Sequence, residues 1–391
     1  MYSQSLWSKA LLKGALDYRR TATNFYGKES FPSNTPEDAY GVHYDQLKFN
    51  GDIYSATEGK KFSYQAGTEF SSLSGNLAPK EWLFKNYVRS SYAISSGLAL
   101  RVNGEAILSN FTSNTSTNRQ FFRLQPSISY DVLPRLNLVA GLNAVQDDEL
   151  RLYPNVQVRY RANDFIRLFA GLEGNTQFNS YHSSLQINPW LTQAVTLQNT
   201  QQKWMVSGGL MGSNERNVSY ELKASYGDYT KMAFFTSSAA DLSQFDITYS
   251  NADAAISVLD LQANVKMSIT DKIQSDLNVQ YTNYANLGNL LYAYHRPNIQ
   301  IALKNTIKVL PKFNVLPELY YLGGLYGFNP RTQKASTLDN ILDINVKGEY
   351  AITEKFTASL SANNILGKNY QRYLFYPTQG FNFTATLAYS F

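Results

Sequence analysis

Histidine is the residue of this sequence best suited to acid–base or metal chemistry, and the chain contains His43, His182 and His295. A catalytic or metal site would need these side chains close to one another or to carboxylates. All three fall in or beside long polar segments, where a histidine is usually a solvated polar residue. The 391 residues include no cysteine, which excludes disulfides, thiolate zinc sites and cysteine nucleophiles. We therefore predict no enzymatic activity, no metal site and no cofactor.

Charged side chains at alternate positions of several segments form a second set that could do chemistry. Such positions share one face of a strand, so we expect their charges to meet across neighbouring strands. Two roles stay open: opposite charges pair and hold the wall of a water-filled lumen, or they line a path for a polar solute. The candidate lumen residues are Arg101, Arg123, Arg159, Arg161, Arg167, Lys266, Lys304, Lys347, Glu105, Asp131, Glu173 and Asp260. Among them, Arg159, Arg161 and Arg167 flank one predicted turn, and we predict a weakly anion-favouring ring there.

The segments that carry these side chains alternate apolar and polar residues with a period of two. Between Phe381 and Phe391 every large apolar residue occupies an odd position. The same alternation is present in 98–108, 122–132, 259–269, 273–281 and 342–350. Each segment is about ten residues long, which predicts strands with one apolar and one polar face.

The connections between these strands are of two kinds that alternate along the chain. Long polar segments such as 109–118, 146–151 and 175–202 alternate with eight short turns, at 58–60, 95–97, 133–135, 162–164, 213–216, 270–272, 310–312 and 353–355. This order predicts an antiparallel up-and-down meander with its tight turns on one side and its long loops on the other. We predict an all-β fold, a transmembrane antiparallel up-and-down β-barrel of roughly 18 strands, within a range of about 16 to 22. Its first and last strands pair, and residues 1–391 form a single domain.

The composition favours a barrel that crosses a membrane. Charged residues make up 17% of the chain, below the roughly 25% of soluble domains, whereas aromatic residues make up 14% and tyrosines number 29. Tyrosine suits a boundary between water and hydrocarbon, and we expect aromatic girdles near strand ends. The expected girdle residues are Trp82, Phe84, Phe121, Phe122, Trp204, Phe356, Phe381 and Phe391.

Other classes of protein fit less well. No window of about 20 residues is apolar enough for a transmembrane helix. The net charge of +5 is spread along the chain, which argues against a nucleic-acid partner. A soluble propeller, sandwich or β-solenoid is the alternative that alternation alone leaves open, because its strands also bury one face.

The C-terminal residues resemble those of bacterial outer-membrane proteins. Phe383, Leu387, Tyr389 and Phe391 look like the terminal aromatic signal that the barrel-assembly machinery reads in such proteins. Residues 360–372 and 376–381 resemble the last hairpin of TonB-dependent receptors, especially those of Bacteroidota. The resemblance implies a bacterial outer-membrane location, in contact with the lipid bilayer and lipopolysaccharide, and assembly through the C-terminal strand.

Such receptors have a plug and a TonB box before the barrel, whereas this sequence begins almost at once with an alternating segment near Ala10. Either the plug was removed or lies upstream in a longer gene product, or the protein is a plugless relative that has lost TonB coupling. We therefore expect a receptor-like barrel without a plug that mediates passage or uptake of a polar solute. The alternative is a non-transporting barrel that scaffolds a complex with a lipoprotein or other outer-membrane subunits. The loop at 175–202 contains Tyr181, Trp190 and Leu191, and we expect it either to fold inward as a constriction or to dock a partner.

Overall fold

The structure is a computed structural model that describes residues 2–6, 10–25, 41–55, 61–77, 79–214 and 217–390, with side chains from Ala10 onward. Phe391 of the C-terminal signal and the turn predicted at 58–60 lie outside the described residues. The described part of the chain contains no helix long and apolar enough to cross a membrane.

The described residues form 25 strands and one short helix. In chain order they are β1 (Tyr2–Leu6), β2 (Ala10–Asn24), β3 (Gly41–Ser55), β4 (Phe62–Gly75), β5 (Lys80–Ser95), β6 (Leu98–Thr112), β7 (Ser116–Leu133), β8 (Leu136–Gln146), β9 (Leu150–Arg161), β10 (Ile166–Gln177), α1 (Tyr181–Ile187), β11 (Thr200–Ser213), β12 (Val218–Thr230), β13 (Ala233–Ser237), β14 (Phe245–Tyr249), β15 (Ile256–Thr270), β16 (Ile273–Ala285), β17 (Ile299–Leu310), β18 (Phe313–Gly323), β19 (Tyr326–Asn329), β20 (Lys334–Thr337), β21 (Ile341–Ala351), β22 (Phe356–Asn363), β23 (Gln371–Tyr373), β24 (Tyr376–Pro377) and β25 (Asn382–Tyr389).

One antiparallel sheet contains 19 of these strands, and the other six form the two-stranded hairpins β13–β14, β19–β20 and β23–β24. The sheet consists of the short β1, which pairs with β2, and 18 longer strands. Successive long strands pair antiparallel with their neighbours in the chain, as in β5–β6 and β16–β17. The predicted all-β, up-and-down architecture of about 18 strands is confirmed.

Several strands are longer than predicted, because residues expected in loops continue the strands. Only residues 113–115 separate β6 from β7, and only 147–149 separate β8 from β9, so the long loops predicted at 109–118 and 146–151 are wrong. Polar side chains such as Asn110 and Asn118 bond to each other across the strand pair at 2.8 Å. Polarity therefore marks the ends of these strands and not the start of a loop.

The chain divides into two compact units, each made of several separate stretches of sequence. Unit 1 comprises residues 1–160, 170–206 and 227–255, and unit 2 comprises 161–169, 207–226 and 256–391. The prediction of a single domain stays a prediction.

The strands of unit 1 have two unlike faces. In β7 the side chains of Phe122, Leu124 and Ile128 are exposed, whereas Ser127 and Ser129 on the other face are buried. We call these two sides of the sheet the apolar face and the polar face. Large apolar residues that are 37–50% exposed recur on the apolar face, which is the pattern of a surface in contact with hydrocarbon.

The buried residues of unit 1 lie where its loops pack onto the polar face. Ile107, Phe121, Val145 and Tyr153 form a cluster against which Leu83 and Phe178 pack. Phe121 is fully buried, so its predicted place in an aromatic girdle is wrong. Phe121 occupies an odd-numbered position of β7, as the polar-face residues Ser127 and Ser129 do. Phe122 occupies an even-numbered position, on the apolar face.

Unit 2 contains a second cluster, built by the start of β21 and by the connections that follow β18 and β22. Leu325, Leu338, Ile341, Tyr370 and Leu374 are buried together there. Gly324 precedes this cluster with a φ of +71°, and a Cβ at this position would lie 2.5 Å from Asn298 Oδ1. A side chain at residue 324 would therefore strain the backbone and clash with Asn298.

Candidate functional site

Five side chains of alternating charge cross the polar face of unit 1 on five consecutive strands. Lys48 of β3 contacts Glu69 of β4 at 3.0 Å. Glu105 of β6 contacts Lys85 of β5 at 2.7 Å and Arg123 of β7 at 3.3 Å. We call Lys48, Glu69, Lys85, Glu105 and Arg123 the charge ladder.

Strand register explains why the charge ladder forms. Glu69 lies directly opposite Lys85, and Glu105 lies directly opposite Arg123. Opposite charges at paired positions attract, and here they are partly withdrawn from water, with 17–32% of the side-chain surface of Lys85, Glu105 and Arg123 exposed. The expected pairing of wall charges therefore occurs at Glu105 and Arg123. Lys48 was not among the sequence candidates, although its alternation with Leu47 and Phe49 is a signal that could have found it.

A cavity of about 510 Å³ lies above the charge ladder, entirely within unit 1. Four residues of the ladder line it, and amide, hydroxyl and apolar side chains complete its wall. The lining residues are Glu69, Leu83, Lys85, Glu105, Ile107, Arg123, Asn175, Gln177, Phe178, Ser180, Thr200, Gln202 and Tyr229. The cavity therefore offers charged, amide and apolar groups within the size range of small-molecule sites.

Helix α1 is fastened to the polar face by a carboxylate from a distant strand. Glu81 of β5, which is 4% exposed, accepts hydrogen bonds from the backbone N–H groups of Tyr181 at 3.0 Å and His182 at 2.8 Å. These are free N–H groups of the first helical turn, where a carboxylate is favoured. Ser180 caps the same turn through a capping box with Ser183.

Arg119 of β7 makes a second attachment for the segment around α1. Its Nη1 donates to the backbone carbonyl of Asn179 at 2.5 Å, and its guanidinium lies 4.5 Å from the ring centroid of Phe178. Leu191, further along, is fully buried next to Phe245 of the β13–β14 hairpin. The connection 178–199 thus packs onto the polar face of unit 1, and its role as a constriction or as a docking site stays a prediction. Neither Glu81 nor Arg119 was a sequence candidate.

Unit 2 repeats the alternation of charge on its own polar face. Lys266, Asp276, Lys304 and Glu318 lie directly opposite one another on β15 to β18. Lys266 contacts Asp276 at 3.6 Å, and Lys304 Nζ lies 5.7 Å from the centroid of the Tyr320 ring. The predicted lumen residues of these strands therefore find local polar or aromatic neighbours.

Two more candidate residues of unit 2, Lys347 and Asp260, interact with residues on the same strand or on the paired strand. Lys347 contacts Glu349 at 2.8 Å. Asp260 accepts hydrogen bonds from Gln262 and Gln280 at 2.6 Å and from Thr282 at 2.8 Å.

The remaining sequence candidates do not join the charge ladder. Arg101 is exposed, Asp131 accepts a hydrogen bond from Asn137 at 2.7 Å, and Arg159 donates to Gln157 at 3.0 Å. Glu173 lies in β10 and receives a hydrogen bond from Gln202 on its backbone carbonyl. Arg161 ends β9 and Arg167 is the second residue of β10, so both flank the predicted turn. The anion-favouring ring stays a prediction.

The three histidines have different surroundings. His43 lies on β3, 3.8 Å from Asp45, and His182 of α1 lies 2.8 Å from Gln46. Burial, with Lys48 and Arg19 nearby, lowers the pKa of His182. His295 is buried in the loops of unit 2, where its backbone N–H donates to the backbone carbonyl of Tyr326. In the described part of the chain, no group of three or more His, Asp or Glu side chains could hold a metal ion.

Neither a family model nor a curated protein matches the sequence. Solved structures do match its fold. The ferric enterobactin receptor PfeA of Pseudomonas aeruginosa is 11% identical, with a TM-score of 0.71 over 100% of this chain and 69% of the receptor. The siderophore receptor PirA of Pseudomonas aeruginosa is 10% identical, with a TM-score of 0.67 over 100% of this chain and 69% of that one. FpvA of P. aeruginosa, solved with bound pyoverdine, is 11% identical, with a TM-score of 0.69 over 100% of this chain and 64% of FpvA.

These identities are low, so the likeness concerns the fold. The chain has the fold of an outer-membrane receptor barrel, and its resemblance to TonB-dependent receptors is confirmed at that level. The exposed apolar face agrees with such a fold, because a barrel of this kind turns its apolar side chains to lipid.

Proposed function

We propose that this protein is an outer-membrane barrel that mediates the uptake of a polar solute. The observation that carries the proposal is the polar face of unit 1, which combines the charge ladder with a polar cavity on a fold shared with siderophore receptors. A wall of this kind suits polar solutes, because its charges are largely compensated and its amides can replace water around the solute. In this proposal the polar faces line the lumen.

Electrical conductance of the reconstituted full chain tests the proposal. The protein would be refolded in detergent, checked for the heat-dependent gel mobility of a folded barrel, and inserted into planar bilayers. We expect discrete current steps, because a barrel of about 18 strands encloses an aqueous lumen. A folded preparation that inserts into the bilayer and passes no current would contradict the proposal.

A scaffold role is the second candidate, and the attachment of residues 178–200 to the polar face favours it. Glu81, Arg119 and the β13–β14 hairpin hold this segment in place, so part of the polar face of unit 1 is occupied by the protein itself. Chemical crosslinking in the native outer membrane, followed by purification, separates the two candidates. A bilayer-silent barrel that carries a lipoprotein or another subunit in stoichiometric amount would support the scaffold.

Assembly in the outer membrane completes the proposal. We propose that the barrel-assembly machinery recognises β25 through Phe383, Leu387 and Tyr389, and that the apolar face then contacts lipid and lipopolysaccharide. These three side chains are 49–72% exposed, and Tyr389 packs against Phe356 of the neighbouring strand with ring centroids 5.1 Å apart. Their exposure supports a role in recognition, because apolar side chains that are accessible on the last strand can be contacted by another protein.

A further inference from the structure

We infer that the cavity above the charge ladder binds short peptides with a free ammonium and a free carboxylate group. The inference rests on the proposed function, since it names the class of solute that the polar face of unit 1 would accept. Three parts of the cavity wall carry it: the ladder, a set of amides and a group of apolar side chains.

The charge ladder has unused capacity for both ends of a zwitterion. Lys85 and Arg123 share the single carboxylate of Glu105, and Arg123 also donates from Nη2 to the Thr176 carbonyl at 2.6 Å. Lys85 is therefore the cation of this pair that can take a second carboxylate. Arg123 Nε is buried and has no hydrogen-bond partner among the described residues. Glu69 contacts only the ammonium of Lys48 among the described ion pairs, so its carboxylate can accept a second ammonium. The ladder therefore offers a cationic place and an anionic place in one cavity.

Amide side chains form the part of the wall suited to a peptide backbone. Asn175, Gln177 and Gln202 line the cavity, together with the hydroxyls of Ser180 and Thr200. A primary amide offers both a donor and an acceptor, which matches the N–H and C=O groups of a peptide bond. The Gln202 side chain donates to the backbone carbonyl of Glu173 at 3.4 Å and accepts from the Tyr229 hydroxyl at 3.3 Å. Both hydrogen bonds are long, so a ligand can replace them at low cost.

Apolar groups distinguish a peptide from a sugar in this cavity. Leu83 and Ile107 present aliphatic surface, which suits the side chain of an amino acid. A sugar would need an aromatic ring for stacking, and the cavity wall contains the rings of Phe178 and Tyr229. Tyr229 interacts through its hydroxyl with Gln202 and Met205. At Phe178 the Arg119 guanidinium lies 4.5 Å from the ring centroid, and the Phe121 ring packs 5.7 Å away. The Phe178 ring is therefore already engaged. The cavity volume of about 510 Å³ leaves room for a ligand of two or three residues.

Calorimetric titration of the full chain in detergent tests this inference without any transport step. The probes are tri-alanine, tri-alanine blocked as its N-acetyl amide, and maltotriose. We expect tri-alanine to bind and the blocked peptide to bind at least about tenfold more weakly, because each lost charged contact corresponds to roughly tenfold or more in affinity. Maltotriose should show no competition with tri-alanine.

Two substitutions within the ladder and one outside it complete the design. Lys85→Gln and Glu69→Gln should each weaken tri-alanine binding about tenfold and leave affinity for the blocked peptide unchanged. Lys347→Gln is the matched control, since it removes a lysine from an ion pair of similar exposure in unit 2. The heat-dependent gel mobility of each variant shows whether it has folded, and Glu69→Gln keeps the test decisive if Lys85→Gln does not fold.

Three results would overturn the inference. They are equal affinity for the free and blocked peptides, tighter binding of maltotriose than of tri-alanine, and no binding of tri-alanine by the folded wild type. The outcome is separate from that of the conductance experiment. A protein that conducts but does not bind tri-alanine refutes the peptide site alone, whereas one that binds tri-alanine but passes no current refutes the transport proposal.

Discussion

His295 occupies a position where a charge is strongly disfavoured. It is 3% exposed, and burial, with the nearby Arg372 guanidinium, lowers its pKa from 6.5 to about 3. Its ring centroid lies 5.1 Å from that of Tyr373, and its backbone is in the left-handed region with a φ of 58°. The neutral imidazole therefore packs among the loops of unit 2, against the Tyr373 ring.

Acid is expected to loosen these loops. Between pH 6.5 and about 3 the unfolded segment binds a proton that the folded one does not, so stability falls as the pH decreases through this window. The loss approaches about 1.4 kcal/mol per pH unit. This loss of stability is measured by the hydrogen exchange of residues 286–298. The exchange rates are compared at about pH 7 and about pH 4.5 after correction for intrinsic rates. The control His295→Asn tolerates the backbone conformation and does not titrate there. Equal acid sensitivity of the two proteins would refute the prediction.

Individual side chains differed in how well the sequence predicted them. Glu105 and Arg123 were predicted because alternation assigns a face to each residue of a strand, and pairing across strands follows from charge. Glu81 and Arg119 were not, because they bond to backbone groups 101 and 60 residues away. No local pattern encodes such a contact, which depends on where a loop returns to the sheet.

Helix α1 was also absent from the sequence prediction, for a related reason. It has seven residues, too few for a periodic apolar stripe or for stability on its own. Its stability depends on Ser180, on Glu81 and on the burial of Tyr181 against Phe111, whose ring centroid is 5.0 Å away. The strands, in contrast, repeat their alternation over 8 to 18 residues and were recognisable without tertiary information.

Removal of the Glu81 carboxylate should detach α1 from β5. Glu81→Ala leaves the N–H groups of Tyr181 and His182 without their acceptor, at a cost of about 1–3 kcal/mol. Limited chymotrypsin digestion should then cleave the variant near Tyr181 and Trp190 faster than the wild type. Glu149→Ala is the control, because the Glu149 side chain is 77% exposed. Unchanged cleavage in Glu81→Ala would show that the carboxylate does not hold the helix.

The whole sheet was the most predictable feature of the chain. Eight short turns were expected. Six of them lie wholly in the described residues, each between consecutive long strands, as at 95–97 and 353–355, whereas those at 58–60 and 213–216 lie wholly or partly outside. The sequence did not predict the hairpins β13–β14, β19–β20 and β23–β24. Their strands are only two to five residues long and lie within polar connections. Alternation of charge in both units follows from the same strand register, since a lysine or arginine opposite a carboxylate recurs from β4–β5 to β17–β18.

The exposed apolar face is expected to depend on lipid. Leu124 lies near the middle of β7 and is 50% exposed, so Leu124→Arg puts a charge into hydrocarbon at a cost of about 2–4 kcal/mol. Asn103→Arg adds the same charge to the polar face of the neighbouring β6 and should change stability by less than about 1 kcal/mol. Urea titration of folding into phospholipid vesicles compares the two variants. The contrast between them is the decisive quantity, because both carry one extra arginine and differ only in the face that receives it. If both tolerate the arginine equally, the apolar face does not contact acyl chains.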